Sequence, residues 1–161
     1  LKGDKLDITP IDNISKKIKE EKFRDNENSF EPLTVENPNE KQIESLIKAW
    51  LNSKAKTLAG EDVGDLSGFV KKPLANRLLK ERSKDIKSDE NQIINAKIKS
   101  IDILSRTNKR IAVNVDLNYK DQRIKSSGEI VTETLIPSLK VVYVLGREKD
   151  TWLLVDYISG G

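Results

Sequence analysis

Residues 111–119 read Ile111-Ala112-Val113-Asn114-Val115-Asp116-Leu117-Asn118-Tyr119, an unbroken alternation of apolar and mostly polar side chains. A period of two sets Ile111, Val113, Val115, Leu117 and Tyr119 on one face of a strand and Asn114, Asp116 and Asn118 on the other, so the stretch reads as a half-buried strand. The same period extends both ways. Upstream, Ala96 and Ile98 share one parity while Ile101 and Ile103 take the other, which calls for either a bulge near Ser100 or burial on both faces. Downstream, Ile130 to Ile136 is followed by a break or bulge at Pro137, and then Leu139, Val141, Tyr143 and Leu145 alternate with Lys140, Val142 and Val144. Gly146 to Asp150 reads as a hairpin loop, after which Trp152, Leu154 and Ile158 alternate with Leu153, Val155 and Tyr157.

Ahead of the strands the period is 3.6. Asn37 is a candidate cap, Pro38 suits the first helical position, and Glu40 stands three residues after the cap. Ile43, Leu46, Ile47, Trp50, Leu51, Ala55 and Leu58 then form one apolar stripe, with Trp50 as its anchor against the sheet and Gly60 as its end. Leu66, Phe69 and Val70 lead to Pro73, which opens a stretch holding Leu74, Leu78 and Leu79. A proline is not accommodated inside one straight helix, so two shorter helical pieces are expected there. Helices followed by strands make an α+β fold, with the helices on one face of a curved four-stranded antiparallel sheet.

The 161 residues, 36% hydrophobic, suit one globular domain. Residues 1–39 carry scattered apolar side chains among frequent charges and Pro10, Pro32 and Pro38, so a charged flexible linker is expected there and the domain at 40–161. A short helix over Ile14 to Phe23, presenting Ile11, Ile14, Ile18 and Lys22 to a partner, is the functional alternative for that segment. The chain opens on Leu1 and contains no Met, the expectation being a piece of a longer protein. No run reaches the ~18 to 20 apolar residues of a membrane span, so any membrane attachment is expected through a span outside this chain.

Charge and residue inventory narrow the chemistry. The 29 basic and 26 acidic residues leave a net charge of +3 with no basic block, which argues against a nucleic-acid partner. Without His or Cys there is no Ser-His or Cys-His nucleophile and no thiolate or imidazole metal site. Glu61, Asp62 and Asp65 miss the calcium-loop spacing and read as a solvated turn and a helix cap. Gly60 and Gly64 precede no Gly-Lys-Ser/Thr, so no phosphate loop is present. Asp116, with Asp156 second, is the best carboxylate for catalysis, but parity places it on the polar face. No catalytic residue, metal or cofactor is therefore expected.

What remains is a surface for a partner. Tyr119, Tyr143 and Trp152 share the inward parity and are expected to floor an apolar groove beneath the second helical stretch, with Arg77 or Lys80 at its rim to meet a carboxylate. The same rings also fit a reading in which they complete the core.

The stretch Ile43 to Gly60, with its Trp50-Leu51 pair, Lys54-Ala55 and a Gly-bearing turn, followed by Pro73-Leu74 and a late hairpin with Trp152, resembles a known family. It is similar, over about Gln42 to Ile158, to the intermembrane-space-type domain that ends the ARC-six class of plastid-division proteins and their cyanobacterial homologues of the ZipN type. The resemblance implies a cone-like domain similar to the nuclear-transport-factor-two fold. It also implies a non-catalytic role in a membrane-anchored factor that tethers the FtsZ ring, with capture of a division partner's tail or another divisome component. The side of the membrane so implied is the periplasm, or the intermembrane space in a plastid. Two other readings stay open: a small-molecule isomerase or dehydratase of the same cone shape, and a homodimer module burying an uncovered sheet face.

Overall fold

The computed structural model describes residues 30–160, and within them two helices lie on one face of an open antiparallel sheet. The chain order is α1 (Glu40–Leu58), α2 (Lys72–Lys87), β1 (Glu90–Arg106), β2 (Arg110–Lys125), β3 (Ile130–Glu148) and β4 (Thr151–Gly160). The strands pair in that same order, β1-β2-β3-β4, as a meander. The helix expected over Ile14 to Phe23 lies outside the described residues.

The cap of α1 is Asn39, not Asn37. Its side chain accepts from the Gln42 amide at 2.8 Å, and Gln42 reaches back to the Asn39 amide at 2.9 Å, a reciprocal capping box. Asn37 instead accepts from Arg106 at the end of β1. The stripe Ile43, Leu46, Ile47, Trp50 and Leu58 is fully buried. Gly60, at φ 91°, turns the chain left-handed, so that the Gly60 and Glu61 amides reach the Thr57 and Lys56 carbonyls. This is a Schellman ending, and a side chain at Gly60 would be strained there.

Leu66 to Val70 does not form the expected helical piece. Val70 bridges Leu154 in β4, with the Lys71 amide donating to Leu154 at 2.9 Å and the Leu154 amide to Phe69 at 2.7 Å. Pro73 then sits in the first turn of α2, where its missing donor costs nothing. Leu74 and Leu78 are buried, while Asp85 near the other end pairs with Arg123 of β2 at 2.7 Å.

Of the five register shifts in the sheet, three bear on the inward face. The register of β1 slips between Ile98 and Ser100, so the expected bulge is present and keeps Ala96, Ile98, Ile101 and Ile103 half-buried together. Pro137 falls where β3 holds an extra residue, Leu117 pairing with Leu139 and Tyr119 with Ile136. A third shift lies opposite Val144 and Leu145, which pair with Asp156 and Leu154 and leave Val155 as the extra residue. That shift overturns the expected parity of β4. Tyr157 turns inward with Trp152 and Leu154, and Ile158 is 63% exposed. The β3–β4 turn is also shorter than expected, since Lys149 and Asp150 alone make it, with φ of 49° and 71°.

The folded unit begins before Glu40. Leu33 is buried and accepts from the Trp152 amide at 2.9 Å, and the Trp152 indole donates to the Val35 carbonyl at 2.9 Å. Residues 31–39 therefore belong to the domain and are not linker. A chain starting at Glu31 is expected to melt as the full chain does. One starting at Glu40 should lose about 2 to 4 kcal/mol in urea unfolding, from the exposed Leu33 pocket and the unpaired indole. Equal stability of the two would contradict this boundary.

Candidate functional site

The helices cover only part of the inward sheet face, and a cleft of about 420 Å³ opens where they stop. Trp50, Leu51 and Lys54 of α1 form one wall. The sheet supplies Ile94 and Ala96 from β1, and Leu117, Tyr119 and Asp121 from β2. Ile136, Leu139, Val141 and Tyr143 come from β3, and Tyr157 and Ser159 from β4.

An aromatic cluster closes one end. The Tyr157 ring stands 5.9 Å from both Trp50 and Tyr143, centroid to centroid, each at a tilt. Lys54 Nζ donates to the Tyr157 hydroxyl at 3.1 Å and lies 5.0 Å from the ring centroid, a cation over an aromatic face. Towards the other end, the Tyr119 hydroxyl and Gln92 Nε2 both donate to Asp121 Oδ2, the second at 3.0 Å. Burial, then the hydrogen bond and charge of Asp121, push the Tyr119 phenol far above its ordinary value. Burial does the same to Tyr143, helped by Tyr157.

The expected groove is thus brought together in part and displaced. Tyr119 and Tyr143 both line the cleft, although Tyr143 is only 2% exposed. Trp152 does not: it is 0% exposed, with its indole held by the carbonyl of Val35. The cleft lies beside α1, not beneath α2. Arg77 of α2 reaches its edge, 5.9 Å from the Tyr157 ring, but is paired with Asp156 at 2.9 Å, so it is no free cation awaiting a carboxylate. Lys80 is exposed on α2 and is not among the cleft's lining residues.

Lys54, Tyr157 and Asp121 were not singled out from the sequence. Asp121 had a signal, because it keeps the parity of Leu117 and Tyr119, and it makes the inward face of β2 partly polar. In chemical type, a phenol beside a carboxylate is an acid–base pair. Here, though, the Tyr119 hydroxyl donates a hydrogen bond to Asp121 Oδ2, so the phenol's proton is engaged. Asp116 lies on the opposite face and accepts from Ser138 Oγ at 2.7 Å. Ser67 holds Asp65 below the ordinary carboxylate value, through its amide and then its hydroxyl. Among the described residues no group of three or more Asp or Glu is placed to hold a metal ion.

The two raised phenols make stability depend on alkaline pH. An unfolded tyrosine loses its proton near pH ~10. The folded Tyr119 and Tyr143 keep theirs to higher pH, so the native state binds more protons there and stability falls as pH rises past ~10. Phe at position 143 is expected to flatten the alkaline loss of melting temperature. An unchanged alkaline limb would show that Tyr143 is not the group responsible.

The chain has a family and a structural relative among known proteins. No curated protein matches it. Among solved structures it is similar to the one described as "Crystal structure of intermembrane space region of chloroplast protein ARC6", at a TM-score of 0.61 and 9% identity. That likeness covers 76% of this chain and 97% of the other, and at such low identity it speaks for the fold. The family described as "ARC6-like, IMS domain" matches residues 43–155, which run from the buried face of α1 to the Val155 bulge. The chain belongs to the ARC6-like IMS domain family.

Proposed function

We propose that this domain is a non-catalytic capture module of a membrane-anchored division factor, holding the extended tail of a division partner in the cleft beside α1. One observation carries the reading: an apolar-walled cleft floored by aromatic rings ends at a lysine, Lys54, that has no ionic partner among the described residues. Such a site suits an extended segment whose side chains are buried between helix and sheet and whose negative group meets the cation at the wet end. Membership of the family supports a place in plastid or bacterial cell division. The solved relative's title supports a position on the non-cytosolic side of a membrane, in an intermembrane space or periplasm. The parent protein would tether the FtsZ ring from the other side. No helix among the described residues is long and apolar enough to span a membrane.

The test uses the immobilised domain in extract of its own cell, with retained division proteins identified by mass spectrometry. Ser159, exposed at the cleft, can carry a larger side chain without disturbing the core. Ser159→Trp and Lys54→Glu are each expected to lower retention about tenfold, roughly 1.4 kcal/mol, at unchanged melting temperature. Asp116→Asn, on the far face, should retain the partner normally. Full retention by both cleft variants would refute the proposed site.

A further inference from the structure

Two of the cations around the cleft are paired with carboxylates, but the two charges inside it have no ionic partner among the described residues. Arg77 meets Asp156 at 2.9 Å, and Arg123, two residues beyond Asp121 on the same face of β2, meets Asp85 at 2.7 Å and Glu90 at 3.4 Å. Among the described residues Lys54 donates only to the neutral Tyr157 hydroxyl. Asp121 accepts only from the neutral donors Tyr119 and Gln92, both on Oδ2, which leaves Oδ1 without a hydrogen bond among the described residues.

The two unpaired charges stand at different levels of the sheet. Tyr157, beneath Lys54, pairs with Tyr143 and through it aligns with Val113, whereas Asp121 lies well along β2, between Ile94 and Thr134. Apolar walls, Leu117, Ile136, Leu139 and Val141, separate them. The aspartate is also held in place. Gln92, itself 7% exposed, donates to Asp121 while accepting from Arg123 at 3.5 Å, so the carboxylate's orientation is tied to the Arg123–Asp85 pair.

We propose that Asp121 sets the specificity of the cleft by receiving a Lys or Arg side chain of an extended peptide whose carboxylate is bound at Lys54. The inference rests on the cleft being a peptide site. An apolar segment laid over Asp121 would strip water from Oδ1 and return nothing, whereas a cation there supplies the missing donor. Discrimination therefore comes from rejecting tails without a basic residue as much as from attracting those with one. The carboxylate at Lys54 has two sources, a free C-terminus or an Asp or Glu side chain, and the test separates them.

A random octapeptide library, displayed once with free and once with amidated C-termini, is panned against the domain, Asp121→Asn, Asp121→Lys and Lys54→Glu. Selected peptides are then measured by fluorescence anisotropy. The wild type is expected to enrich peptides with Lys or Arg at a fixed distance from a carboxylate. Replacing that basic residue by Gln should cost about tenfold in affinity, the scale of one charge-assisted contact. Asp121→Asn should abolish that difference while binding the Gln peptide as the wild type does, and Asp121→Lys should favour Glu at the same position. Enrichment confined to free C-termini identifies the terminal carboxylate; enrichment in both formats, with Asp or Glu in place, identifies a side chain. Either supports the inference, provided Lys54→Glu loses it.

Apolar peptides selected without a basic preference would overturn the role of Asp121 and leave peptide capture standing. So would an Asp121→Asn variant that loses all peptides, because the residue would then only shape the cleft. No enrichment on the wild type would refute both.

Discussion

A helix rises about 1.5 Å per residue and a strand about 3.3 Å, so α1, with 19 residues, is about 28 Å long, whereas β3, also of 19, runs to about 60 Å. Two helices of this kind are too short to cover the inward face of strands this long. The covered part is core: Ile111, Val113, Val115 and Leu117 of β2 are at most 2% exposed against the α1 stripe. Beyond Leu117 the same face continues as Tyr119, Asp121 and Arg123, half-buried and polar-tipped. The cleft is the transition between these regimes, and its composition follows from that. Apolar residues from the end of the core form its walls, and the first polar groups the helices do not cover form its ends.

The bulge at Val155 then determines which aromatic ring faces that space. Trp152 and Leu154 lie fully inside the core, and without an extra residue the next inward side chain would be Asp156. The bulge passes that place to Tyr157 and leaves Asp156 outside to pair with Arg77. One inserted residue thus removes a carboxylate from the aromatic cluster and puts a phenol beneath Lys54. Gly146, nearby on β3, is part of the arrangement. A Cβ there would run into the Arg110 guanidinium and come within 3.1 Å of Val155 Cγ1.

Most of the architecture could be read from periodicity, because the core residues are those whose spacing is undisturbed. The α1 stripe and the inward set from Ile111 to Tyr119 keep their periods throughout. The Pro137 bulge also announced itself, since a proline cannot donate to a central ladder. Val155 gave no such sign: in an all-apolar run such as Trp152 to Val155, alternation carries no information about a slip. The parity of Tyr157 was therefore misread, whereas Trp152 keeps its inward parity and is withdrawn from the cleft by the Val35 carbonyl that holds its indole. Asn39 was missed for a simpler reason, since Asn37 and Asn39 both precede helical residues and only the Gln42 side chain selects between them.

The start of the domain follows from the sheet edge. One side of β4 pairs with β3, and the other would present open amides and carbonyls. Leu33 bridges Trp152 and Val70 bridges Leu154 on that side, so two non-helical segments, one before each helix, close the edge where the core is deepest. This explains why residues 31–39 fold with the domain despite their weak apolar content: their backbone completes hydrogen bonds that a buried Trp152 could not otherwise make. Past Leu154 neither segment bridges the strand, and there the exposed edge carries Asp156 with Arg77 against it. A charged pair at an open edge opposes addition of another strand, so the uncovered end of β4 can border a cleft without inviting a second sheet.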